Sequence, residues 1–108
     1  MLDALHCTPK PTPAISRDEL AARVRAQRAI LEQAIPMLAS EGHTILADGV
    51  GPGQPFVYLA PSVRLSEMCK HGKAAWCAHG IDDEGQRWRK GQLLAYRNVY
   101  VAWIERGN

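Results

Sequence analysis

The run Leu31-Glu32-Gln33-Ala34-Ile35-Pro36-Met37-Leu38-Ala39-Ser40-Glu41-Gly42-His43-Thr44-Ile45-Leu46-Ala47-Asp48 decides the fold, because the spacing of its apolar residues changes at Gly42. Before the glycine, apolar positions recur every three or four residues, as on one side of a helix. After it, the period is two, as in a strand. The chain therefore passes from helix to sheet at Gly42, a residue type that commonly closes a helix by adopting a left-handed backbone.

Upstream, Ser16 and Glu19 have the spacing of a capping box. Asp18 and Glu19 also place negative charge where the helix dipole favours it. Leu20, Val24, Gln27, Leu31, Ala34, Ile35 and Leu38 then form a mostly apolar stripe, widened by Ile30 and Met37, with Arg25, Arg28 and Glu32 on the opposite flank. Pro36 lacks an amide donor and crowds the carbonyl of Glu32. Because the stripe continues to Leu38, a kinked continuation is expected rather than a break. Residues 1–15 are read as an extended or mobile lead-in, since Pro9, Pro11 and Pro13 restrict their neighbours.

Downstream, His43–Asp48 and Phe56–Ala60 read as strands on either side of the loop Gly49-Val50-Gly51-Pro52-Gly53-Gln54-Pro55. Val63–Met68 reads as a third, short strand and Ala74–Ile81 as a fourth. Asp82-Asp83-Glu84-Gly85 is an acidic turn, and Gln86–Lys90 leads into Gly91. Leu93–Ile104 reads as one long strand or a bent pair. Short turns favour antiparallel neighbours. The expected architecture is α+β: one N-terminal amphipathic helix packed on a mainly antiparallel sheet, within a single domain spanning 16–108. A small curled or barrel-like sheet is the alternative.

Composition narrows the functional classes. With 46% hydrophobic and 22% charged residues in a chain of 108, wholesale disorder and fibrous structure are excluded. A formal net charge of +2 does not demand a polyanionic partner. No apolar run reaches the roughly 20 residues of a membrane span, and residues 1–7 lack the basic and apolar regions of a secretory signal. Cys7, Cys69 and Cys77 are three cysteines, an odd number that argues against a disulfide framework. A cytoplasmic protein without a membrane association is the expectation.

Cys69-x-His71 followed by Cys77-x-His79 is the most specific chemical pattern. If residues 69–71 pair with 77–79 in an antiparallel hairpin, two thiolates and two imidazoles converge on one patch, a donor set suited to zinc. The spacing departs from the usual Cys-x₂₋₄-Cys finger pattern, and a thiol in Ala74–Ala78 also suits simple burial. Cys77 and His79, two apart on a strand, share a face, yet no third group is at hand to orient a catalytic base. The glycine loop lacks the Lys-Ser/Thr ending of a phosphate loop and precedes a strand rather than a helix.

The remaining signal is Arg87-Trp88-Arg89-Lys90, directly after the acidic turn. Arg64, Lys70, Lys73 and Arg97 extend a basic excess through the C-terminal half, and Trp88, Tyr96, Tyr100 and Trp103 supply rings on which bases stack. Nucleic-acid binding through Arg64, Lys70, Lys73, Arg87, Trp88, Arg89, Lys90 and Arg97 is one reading. A small RNase-like enzyme, with Arg87, Arg89 and Arg97 on phosphate and His79 exchanging a proton, is another. The reading adopted is a small non-enzymatic protein-binding or regulatory module, of accessory or inhibitor type. Its partner is another protein or a second copy, met by Asp82, Asp83, Arg87, Trp88, Arg89 and Lys90. In a strand there, Trp88 points to one face and Arg87 and Arg89 to the other.

Overall fold

The computed structural model describes residues 15–107; the proline-rich lead-in at 1–14 and Cys7 lie outside them. Helix α1 (Arg17–Ser40) begins as its sequence requires: the Ser16 side chain accepts a hydrogen bond from the Glu19 amide at 3.1 Å. The helix runs on through Pro36. It closes with a Schellman motif, in which Gly42 (φ 93°) donates to Ala39 O and His43 to Leu38 O. Only its C-terminal half reaches the core, through Leu31, Ala34 and Leu38. Leu20, assigned to the stripe, stays exposed.

Strands β1 (Ile45–Gly49) and β2 (Phe56–Leu59) follow, then helix α2 (Val63–Lys70), then β3 (Ala74–Ile81), β4 (Arg87–Leu93) and β5 (Tyr100–Arg106). The sheet has the order β1-β2-β5-β4-β3 and is open, with β1 and β3 at its edges, so the barrel alternative does not form. Every pairing is antiparallel except β2 with β5, which is parallel. That exception follows from chain length, since α2 and the β3–β4 hairpin lie between them and supply the long return a parallel pair needs.

Helix α2 corrects the expected third strand at Val63–Met68. Ser62 caps it by accepting from the Leu65 amide at 3.2 Å, and Gly72 (φ 76°) ends it with the same motif as α1, Lys73 donating to Met68 O. Leu65 and Met68 then fall on one side and reach the core. A single β-branched residue, Val63, could not outweigh a cap at each end. The long strand read over Leu93–Ile104 is divided: Leu93 ends β4, and β5 starts only at Tyr100.

Leu31, Ala34, Leu38 and Leu65 pack with Val57, Leu59, Val101 and Trp103, so both helices lie on one face of the sheet. Trp103 is fully buried opposite Gly91, where an added Cβ would overlap the indole ring. The glycine loop is pinned rather than free: the Gln27 side chain donates to Gly51 O and accepts from Gly51 N, both at 2.8 Å. No helix among the described residues is long and apolar enough to cross a membrane.

Candidate functional site

The alternation of strands dictates what the other face carries. Val57, Leu59, Val101 and Trp103 point to the helices, so Phe56, Tyr58, Tyr100, Ala102 and Ile104 point away. On β4 the same parity sends Trp88 and Lys90 to this second face and Arg87 and Arg89 to the helix side. Phe56, Tyr58, Tyr100, Trp88, Lys90 and Ile104 are all half-buried, and neither helix covers them.

The rings are organised. Phe56 and Tyr58 meet edge to face at 5.8 Å between centroids, and Tyr58 and Tyr100 at 6.4 Å. The Lys90 ammonium lies 4.9 Å from the Tyr100 centroid and 5.3 Å from that of Tyr58. Hydrogen bonding to the Tyr100 and Tyr58 hydroxyls raises its pKa above the usual lysine range, so it is a fixed cation. At either end a ring rests on a glycine. An added Cβ at Gly49 would meet the Phe56 ring at 2.7 Å, and one at Gly80 would meet the Trp88 ring at 2.9 Å. Each pair is directly opposite across its ladder. The missing side chain lets each ring lie against the backbone of the opposite strand, and each residue stays half-buried.

The hairpin tip beside this face is rigid. Asp82 Oδ1 accepts from the amides of Glu84 and Gln86 at 2.9 Å each, and Asp82 Oδ2 lies 3.6 Å from Arg106. Gly85 supplies the positive φ that closes the turn. Asp83 and Arg87 remain exposed. Arg89 is engaged on the helix side: its guanidinium lies 3.7 Å above the Trp76 ring and makes a 3.0 Å ion pair with Glu105. Glu105 also accepts from the Ser66 hydroxyl at 2.8 Å. Burial pushes the Glu105 carboxyl up, but the bonds from Ser66 and Arg89, with the charge of Arg89, outweigh it and hold the pKa below the ordinary range.

The cysteine–histidine hairpin does not form. Cys69 is in α2 and His71 caps its end, so residues 69–71 do not pair with 77–79. Nor do Cys77 and His79 share a face. The register breaks between Trp76 and Ala78, and this bulge turns Cys77 to the open face, where its thiol donates to Lys90 O and meets the Tyr100 hydroxyl. His79 pairs with Arg89 and faces the helix side. Burial raises the pKa of the Cys69 thiol, the reverse of what a nucleophile needs. Among the described residues, no group of three or more His, Cys, Asp or Glu side chains is placed to hold a metal ion.

The basic residues scatter. Arg64, on α2, donates to Glu41 O. Lys70 lies 3.8 Å from Glu67, and Lys73 is exposed beyond the end of α2. Arg97 sits beside Ile30 and Gln33 of α1, whereas His79 and Arg89 are paired on β3 and β4, so the RNase-like constellation is not assembled.

A cluster that sequence reasoning missed joins α1 to the 94–99 segment. Tyr96 donates to Glu41 Oε1 at 3.3 Å, and His43 Nε2, buried without a hydrogen bond, lies 3.9 Å from the same oxygen. Burial, and then the charge of Arg64, lower the His43 pKa against the pull of Glu41, so the ring is neutral near pH 7. Concave surfaces of about 250 and 550 Å³ flank this junction. No apolar spacing marks Tyr96 as the neighbour of Glu41; the loop after β4 brings them together.

Compared with protein-family models, with curated proteins and with solved structures, the chain matches none. What the residues establish is a small α+β domain that, among its described residues, assembles neither a catalytic constellation nor a metal-ligating one.

Proposed function

We propose that the chain is a non-enzymatic protein-binding module and that its partner docks on the sheet face the helices leave uncovered. One observation carries the reading: Phe56, Tyr58, Tyr100 and Trp88 stand on that single face around Lys90, each ring half-buried on its own chain. Aromatic groups with one face packed and one free are the anchors of protein interfaces, because they bury large area at little entropic cost. Of the residues at the hairpin, Trp88 and Lys90 contribute to the face directly. Asp83 and Arg87 stay exposed at the hairpin, Arg87 on the helix side, and Asp82 and Arg89 hold the hairpin in shape.

Charge favours a protein over a nucleic acid here. A strand-tracking groove needs several free cations. Arg89 is paired with Glu105, Arg106 with Asp82, and Lys90 is seated on two tyrosines. The reading is tested by placing a photo-crosslinking amino acid at Tyr58 in cells, with Arg28 on the solvent side of α1 as control. A protein adduct specific to position 58 is expected. Its purified partner should bind at least about 30-fold more weakly to Trp88→Ala and Tyr100→Ala. Adducts to nucleic acid, adducts no different from those at Arg28, or unchanged affinity of both variants would overturn it.

A further inference from the structure

The two edges of the sheet are built differently. β1 has five residues, carries Asp48 and breaks register between Ile45 and Ala47. Shortness, charge and a bulge are the usual means of blunting an edge. β3 has eight residues, Ala74-Ala75-Trp76-Cys77-Ala78-His79-Gly80-Ile81, with no Lys, Arg, Asp, Glu or Pro among them. Its one irregularity is the bulge at Cys77. β4 occupies one side of it, and among the described residues no strand occupies the other. Ala75, Cys77, His79 and Ile81 are exposed, Ile81 to 67%. Charge is confined to the two ends and differs in sign: Lys70 and Lys73 precede the strand, and Asp82, Asp83 and Glu84 follow it.

We propose that β3 pairs antiparallel with β3 of a second copy across a two-fold axis. Antiparallel pairing of a strand with itself sets its basic end against the acidic end of the other copy, twice over. An axis at Ala78, with Cys77 bulged as it is toward β4, brings Lys73 to the acidic turn Asp82-Asp83-Glu84 of the second copy. Parallel addition would instead set like charges together. The free backbone N–H and C=O groups of the edge supply the ladder, and a two-fold contact closes on itself instead of propagating. The axis stands perpendicular to the sheet, so the five strands of each copy join into one sheet with both open faces on the same side. The inference rests on the edge and its flanking charges, independently of what binds the open face.

Sedimentation velocity on the full chain, from low micromolar to millimolar concentration, tests it. A concentration-dependent dimer is expected, weakened by added salt because the end pairs are exposed. Lys73→Asp or Asp83→Lys alone should raise the dimer dissociation constant about ten-fold or more, since symmetry counts each repulsion twice. The double exchange, Lys73→Asp with Asp83→Lys, should restore it. Both positions are exposed in turns, and unchanged circular dichroism confirms that the variants fold. A monomer at every concentration, or a dimer indifferent to both reversals, overturns the proposal. A dimer broken by Trp88→Ala while both reversals are silent also overturns it, placing the contact on the open face.

Discussion

Both faces of the sheet use the same local device, a tryptophan opposite a glycine on the neighbouring strand, and put it to opposite ends. On the helix side Trp103 lies against Gly91 beneath the α-helical layer and is fully buried. On the open side Trp88 lies against Gly80, with neither α1 nor α2 above it, and stays half-buried. The glycine removes a Cβ so that a ring can touch backbone, but that contact alone buries only part of the ring. Whether the tryptophan becomes core or surface depends on where the helices land, and they land on the face of Val57, Leu59 and Val101. The comparison teaches that a Gly–Trp pair is a way to seat a ring, not a sign of burial.

Trp103→Ala against Trp88→Ala is the strongest way to break that comparison. Removing Trp103 should cost about 3–5 kcal/mol, because it leaves a cavity under rigid helices. Removing Trp88 should cost only about 1 kcal/mol, the area it withholds from water being partial. Urea unfolding of the two variants measures both; equal losses would mean the open face is as much core as the covered one. The glycines sharpen the same point with a smaller effect. Gly91→Ala forces its methyl into the Trp103 ring and should cost about 1–3 kcal/mol, since the packed indole cannot retreat. At Gly80 the Trp88 ring can swing outward, so Gly80→Ala should stay within about 1 kcal/mol of wild type.

The smallest expected effect concerns the link between α2 and the sheet, where Ser66 meets Glu105. Glu105 has a folded-state pKa below its unfolded value, so its contribution is complete above about pH 4.3. It is lost as pH falls through the folded pKa. Thermal melting from pH 6 down to pH 2 should show wild type losing stability relative to Glu105→Gln across that acid window. Parallel curves for the two proteins would show that Ser66 and Arg89 do not hold the carboxylate as the geometry requires.

Legibility followed the range of the forces involved. Ser16 and Gly42 bracket α1 because capping acts within a few residues, and the Asp82–Gly85 turn is visible for the same reason. The α2 segment carries equally local marks, Ser62 before it and Gly72 after it. Yet eight residues with Val63, Leu65 and Met68 also fit a short strand, and the apolar spacing alone cannot separate the two. The bulge at Cys77 was hidden for a different reason. Parity along β3 changes there to suit the register with β4, so two residues that alternate together in the sequence end on opposite faces.

The sequence by itself determined the helix-then-sheet order, the caps, the hairpin turn and the opposite directions of Trp88 and its flanking arginines, since each depends on neighbours a few positions away. Only the tertiary structure decided the parallel pairing of β2 with β5, the pinning of Gly51 by Gln27, and the capture of Arg89 by Glu105 and Trp76. It also decided that Phe56, Tyr58, Trp88 and Tyr100 would share the face that neither α1 nor α2 covers. These residues come from β2, β4 and β5, and what they have in common is a side of the sheet. That side is defined only once strands are in register and two helices have committed their apolar stripes to the other.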